Sequence, residues 1–221
     1  MTAALTLTLP GRWYEIPLGA DDMPARLRDF TRSLLGEADH GARSRALLHQ
    51  RLLAVAERAQ RAKAEQLHLG LALTDSVPLP AVFTVFPPVP VVTADSAEPK
   101  EVMDALLEGV VTVESDSAGG TAVADVDDRI FTVGDCVILR RPRLRFDADE
   151  GTPALLIDYW LTVPGEAVAQ LVQVSMPQAL HVPLYAMLFD EIMFAARREP
   201  RTTLLDDLSE GDSQVNAPDR A

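Results

Sequence analysis

The sequence predicts an α+β domain: a mainly antiparallel, curved sheet with helices packed on one face and a C-terminal closing helix. Three observations predict it. The apolar period switches between two and 3.6 residues along the chain, giving the order ββ-αα-ββ-α-βββββ-α. Strands follow one another in runs instead of alternating strictly with helices, which favours antiparallel neighbours. Pro-Gly, Gly-Gly and Asp-rich turns separate the strands of the second half.

Leu5, Leu7 and Leu9 alternate with Thr6 and Thr8 as a half-buried strand, and Pro10-Gly11 separates it from a second extended piece at 13–18. Asp21 and Asp22 offer N-caps to a helix over 22–36, in which Met23, Leu27, Phe30 and Leu34 recur at helical spacing; Pro24 suits its first turn and Gly36 its end. Residues 42–66 lack Gly and Pro. Leu48, Leu52, Val55, Ala56 and Ala59 form their apolar stripe, and the Ala-rich end predicts close packing on a flat sheet. Leu67, Leu69, Leu71 and Leu73 then alternate as a strand, and 81–86 forms another, stopped by Pro87-Pro88. A short helix spans 99–109, capped by Gly109. A hairpin pairs 111–114 with 121–126, and long strands follow over 133–146, 154–162 and 168–176. Pro183 opens the last helix, which the pattern ends at Arg197-Arg198, cations suited to a C-terminal dipole.

The chain of 221 residues, 48% of them hydrophobic, suits one domain over 1–198, followed by an acidic tail over 199–221 that has no core pattern and reads as disordered. No apolar run reaches the roughly 20 residues of a membrane span, and the N-terminus lacks the basic n-region of a signal peptide. With Cys136 the single cysteine, neither an internal disulfide nor a Cys-based zinc cage is available, and a cytoplasmic location is expected.

The Pro-Gly-Arg-Trp run at 10–13 behind the first strand resembles the Pro-x-x-Trp opening of the PsbP-like family. That family includes photosystem II extrinsic proteins, Ran-binding Mog proteins and actinobacterial lipoproteins of the LpqN type. Leu171-Val172-Gln173-Val174-Ser175 followed by Leu188-Phe189-Asp190-Glu191-Ile192 is similar to the family's strand-then-helix ending. The resemblance implies a curved antiparallel sheet closed by a helix, and a mostly non-catalytic role.

No local pattern carries chemistry. His40, His49, His68 and His181 have no second His or Cys at ligand spacing. Asp125, Asp127 and Asp128, like Asp147, Asp149 and Glu150, lack the glycine and distal Glu of a calcium loop. Cys136 lies in an apolar strand without a base signature, and reads as a buried small hydrophobe. The chain is expected to use no cofactor and no metal.

Charge is more informative. The net charge of −13 disfavours nucleic acid and anionic membranes, but it is unevenly placed. Residues 26–63 carry nine Arg/Lys against four acids, whereas 95–128 carry ten acids against Lys100 alone. Strand alternation also puts Arg141, Arg143 and Arg145 on one face, with Leu144 and Phe146 opposite. Pro142 places that strand at an edge or a bulge, and Asp158 or acids of 95–128 are the candidate counter-charges. The expected function is therefore a non-catalytic cytoplasmic interaction or adaptor module. It would self-associate or dock a protein partner through Arg43, Arg51, Arg58, Arg141, Arg143 and Arg145. The alternative is a small-ligand binder, or an enzyme with a site assembled from distant residues, in which Trp13, Tyr14, Tyr159 and Trp160 line an apolar pocket.

Removing residues 199–221 is expected to change stability by no more than about 0.5 kcal/mol, as for surface changes away from packed features. Thermal melts of the full and shortened chains check this. A large fall in Tm would mean that Leu204, Leu205 and Leu208 pack on the body.

Overall fold

The computed structural model describes residues 4–38, 41–93, 98–116, 127–145, 154–177 and 181–199. Strands β1 (Ala4–Thr6) and β2 (Arg12–Glu15) lead into helices α1 (Met23–Leu35) and α2 (Ala42–Arg61). Strands β3 (Gln66–Thr74), β4 (Val77–Pro78), β5 (Val82–Val85) and β6 (Val89–Pro90) precede α3 (Pro99–Asp116). Then come β7 (Arg129–Val133), β8 (Cys136–Arg145), β9 (Ala154–Val163) and β10 (Glu166–Met176), followed by α4 (Val182–Ala195) and β11 (Arg197–Glu199). The main sheet has the order β2-β3-β5-β10-β9-β8-β7, with β4 beside β3 and β6 beside β10, and all its pairings are antiparallel. This is the α+β class that the sequence predicts, and the sheet is open, not closed into a barrel.

Strand alternation divides the sheet's side chains between two covers. Phe83, Val85, Ile138, Ile157, Tyr159, Val172 and Val174 point to one face and pack against Ala186, Phe189, Ile192 and Met193 of α4. The opposite face carries two smaller cores. Leu67 of β3 and Ile16 pack against α1 and α2, while Val137 and Leu139 of β8 pack against Met103 of α3. Three helices thus share one face and α4 closes the other. The predicted Ala-rich contact is present: Ala56 and Ala59 are buried over Leu67, letting α2 approach the sheet. Gly70 in β3 admits a close contact of another kind, since a Cβ there would meet the Leu79 carbonyl and the Trp13 ring.

The α4 face encloses a buried ion pair. Arg140 Nη1 donates to Asp190 Oδ2 at 2.6 Å, and Tyr159 Oη donates to Asp190 Oδ1 at 2.8 Å. The guanidinium also lies over the Phe131 ring, 5.6 Å from its centroid. One helix and two strands are therefore joined by charge-assisted hydrogen bonds in the core.

β1 and β11 form a separate two-stranded ladder, with Leu5 opposite Arg198. Gln66 connects it to the main sheet: its Nε2 donates to the Leu5 carbonyl at 2.6 Å, and its Oε1 lies 3.0 Å from His68 Nε2. That amide orientation makes Oε1 the acceptor, so His68 is the donor at Nε2.

Several boundaries differ from the sequence reading. α2 stops at Arg61, not 66, because Lys63 takes φ 59° and Ala64 N–H bonds back to the Ala59 carbonyl at 2.9 Å. This Schellman-type end is made without glycine. α3 runs through Gly109 to Asp116, so the predicted strand at 111–114 is helix; a single glycine costs a helix only about 1 kcal/mol, too little to stop it. The paired segment 121–126 lies outside the described residues. The predicted strand 133–146 is present as β8 from Cys136, but β7 before it was not anticipated: Val133 pairs with Cys136 across Gly134-Asp135, where Gly134 takes φ 57°. The last helix ends at Ala195, and Arg197 and Arg198 belong to β11. Arg197 Nη1 still donates to the carbonyls of Ala196 and Phe194, at 3.0 and 3.4 Å. β11 reaches Glu199, one residue past the predicted edge of the tail; residues 200–221 lie outside the described residues.

Arg140→Met is expected to cost about 3–5 kcal/mol in a urea titration, because it leaves the Asp190 carboxylate buried without its cation. Replacing both partners (Arg140→Met with Asp190→Leu) is expected to recover most of that loss; a single-variant cost below about 1 kcal/mol would reduce the pair to surface strength. Burial pushes the His68 imidazole below its ordinary pKa, against a smaller opposing pull from Glu15. The unfolded chain then takes up a proton near pH 6.5 that the folded chain resists, so stability falls as pH drops below about 6.5. His68→Gln is expected to flatten that part of the pH–stability curve.

Candidate interaction surface

The basic segment forms an antiparallel helix hairpin whose arginines separate into two roles. Arg45 is structural: Nη1 donates to the carbonyls of Gly36 and Ala38, both at 2.8 Å, and Nη2 to that of Glu37 at 3.3 Å. It therefore satisfies carbonyls just past the end of α1. His49 Nε2 holds the other side of the hairpin, 3.0 Å from the Pro24 carbonyl. On α1, Arg26 pairs with Asp22 and Arg32 with Asp29.

The outward face of α2 is different. Arg43, Leu47, Arg51, Ala54, Arg58 and Arg61 succeed one another three or four residues apart, so they lie on one side of the helix, and all six are exposed. None of the four arginines has an ion-pair or hydrogen-bond partner among the described residues. Leu47, half exposed, sits among them. Over the same face of the sheet, the outward side of α3 carries Glu101, Asp104 and Glu108, with Asp104 taking Lys100 Nζ at 2.7 Å.

The arginine strand is placed as its alternation predicts, and its charges are matched at home. Arg143 pairs with Asp158, whose Oδ1 also accepts from Gln173 Nε2 at 2.9 Å. Arg141 Nε donates to Asp128 Oδ2 at 3.0 Å. These are the counter-charges anticipated from sequence, Asp158 and an acid of the 95–128 segment. The side chain of Arg145 lies outside the described residues. Pro142 sits past Arg129, the last β7 residue paired with β8, where the ladder is bonded only to β9, as a proline without an N–H requires. Sequence reasoning passed over Arg140, between the arginines it singled out; an arginine in register with apolar Ile138 and Leu144 was the available signal.

The four aromatic residues proposed to line one pocket do not converge. Trp13 packs edge-on to Phe83 and Tyr159 faces α4, whereas Tyr14 stacks on Phe30 of α1 and Trp160 packs beside α3. They occupy opposite sides of the sheet because adjacent residues in a strand alternate. Among the described residues, two cavities flank the β7–β8 and β9–β10 turns. The larger, about 600 Å³, opens between those turns and the start of α3, and the smaller, about 260 Å³, lies between the β7–β8 turn, α4 and β11.

Cys136 borders the smaller cavity. Its Sγ lies 3.2 Å from the Thr162 carbonyl, and burial pushes the thiol pKa up, so it is a protonated thiol and a poor nucleophile at neutral pH. His49, His68 and His181 stand on α2, on β3 and before α4, far apart in the chain and on separate elements; His40 lies outside the described residues. Among the described residues no three His, Cys, Asp or Glu side chains gather to hold a metal ion, and no helix is long and apolar enough to cross a membrane. Asp127 and Asp128 serve Arg140 and Arg141; Asp125, Asp147, Asp149 and Glu150 lie outside the described residues.

No family model, curated protein or solved structure matches the chain.

Proposed function

We propose that the chain is a non-catalytic interaction module that receives an acidic protein segment on the outward face of α2. One observation carries this reading: Arg43, Arg51, Arg58 and Arg61 form an exposed stripe about five turns long, without intrachain partners among the described residues, in a chain whose net charge is −13. Exposed like charges on one helix repel one another, and an anionic partner relieves that repulsion. Leu47 and Ala54 within the stripe give the partner apolar footing, so an acidic amphipathic helix fits better than a bare polyanion. Arg141 and Arg143 belong to the body, because their guanidiniums already hold Asp128 and Asp158. A cytoplasmic location, kinship with the PsbP-like proteins and indifference to nucleic acid are parts of the same proposal; the kinship rests on the Pro-x-x-Trp run at 10–13 and the strand-then-helix ending of the sequence, and the overall charge supports the indifference.

A fluorescent acidic amphipathic peptide of about 20 residues, followed by anisotropy, tests the reading. Binding is expected at about 50 mM salt and is expected to weaken strongly by about 300 mM, as exposed charge pairs are screened. Arg51→Glu with Arg58→Glu is expected to abolish it while changing stability by no more than about 0.5 kcal/mol. Absence of binding at low salt, or unchanged binding by the double variant, would overturn the assignment. Sedimentation at both salts shows whether a second copy of the chain competes for the stripe.

A further inference from the structure

The smaller cavity is walled by apolar residues from elements that meet only in the folded chain: Leu5 of β1, Ile138 of β8, Leu161 of β9, and Met193 and Phe194 of α4. At about 260 Å³ it is close to the lower end of the range for small-ligand sites. Arg198 of β11 also lines it, and its guanidinium is fixed from one side. Nη1 donates to Gln170 Oε1 at 2.8 Å, and Gln170 is itself buried and anchored by its Nε2 on the Phe86 carbonyl at 2.9 Å. Nη2 is buried and has no hydrogen-bond partner among the described residues. A buried charged donor without an acceptor is costly, and the cost is removed by any acceptor placed opposite it.

From this juxtaposition we infer that the cavity is a binding site for a small monocarboxylate with an apolar body. The carboxylate pairs with the Arg198 guanidinium, and the hydrocarbon lies against Leu5, Ile138, Leu161, Met193 and Phe194. The Arg198 charge has further neighbours. Burial depresses its pKa, against smaller opposing pulls that include Glu166 and Glu65. Asp135 of the β7–β8 turn and Arg197 also line the cavity, so the formal charge of the lining is +1, which suits one carboxylate better than a dianion. Cys136, the single thiol of the chain, borders the same cavity and reports on its occupancy. This site is separate from the α2 stripe, and neither assignment depends on the other.

The test uses the full chain with octanoate and, as the neutral match, octanol. Calorimetric titration is expected to show saturable one-site binding of octanoate, with octanol weaker by about tenfold or more, the worth of one charge-assisted hydrogen bond. Bound octanoate is also expected to slow alkylation of Cys136. Arg198→Gln is expected to bring the two probes to equal affinity, and Ala196→Phe, which fills the cavity while keeping the guanidinium, to remove both. The inference is overturned if octanoate does not bind, if octanol binds equally well, if Cys136 reacts at the same rate with and without octanoate, or if Arg198→Gln keeps the preference. Should Arg198→Gln fail to fold, the octanoate–octanol comparison and the Cys136 rate on the unaltered chain decide.

Discussion

The seat of α4 rests on one buried carboxylate. Asp190 accepts from Arg140 and Tyr159 in the interior, and burial pushes its own pKa up even against those two donors. Taking an aspartate and an arginine out of water costs several kcal/mol per ion, so the pair is tolerable only where geometry and extra hydrogen bonds are good. Those requirements bind α4 at one position along the sheet: Phe189 must meet Phe83, and Ile192 and Met193 must face β9. A helix as apolar as α4, with Leu184 and Met187 exposed even in place, could slide along a purely apolar sheet at little cost. A buried pair removes that freedom, which is how a polar interaction contributes specificity to a core.

Features distant in sequence follow from that seat. Because α4 ends where it does, β11 lies antiparallel to β1, and Gln66 ties the β1–β11 ladder to β3. The first and last described strands therefore close the same end of the molecule. The cavity bordered by Arg198 and Cys136 is the space left where this ladder, the end of α4 and the β7–β8 turn meet. Its walls come from β1, β8, β9, α4 and β11, and no shorter fragment could form it.

Charge is partitioned by the same geometry. Along β8, acids are brought to the arginines: Asp190 to Arg140, Asp128 to Arg141, Asp158 to Arg143. Where they fall on the hairpin loop, Arg45 takes carbonyl oxygens instead. On the outward side of α2 the fold brings a row of arginines to the surface with no ion-pair partner among the described residues. Bipolarity along the sequence thus becomes two kinds of arginine in space, internal partners and an outward stripe.

Much of the architecture was legible in the residues. Helical spacing located α1, α2 and α4. Leucine alternation located β3, and the alanines of α2 announced its close approach to the sheet. The face shared by Arg141 and Arg143, and their acids, followed from period two and local charge. These features depend on periodicity, which neighbouring residues carry. The ends of α2 and α3 were not legible, because a Schellman end on Lys63 and a helix running through Gly109 are decided by small differences that single residue types do not reveal. The β7–β8 hairpin was missed because Arg129–Val133, a five-residue strand that is mostly exposed, carries a weaker apolar signal than the long β8 it pairs with across Gly134-Asp135. Only the tertiary structure could decide what Arg140 and Arg198 do. Each lies beside arginines that look alike in sequence, and burial against residues 50 and 28 positions away turns one into a core ion pair and leaves the other holding an unused donor.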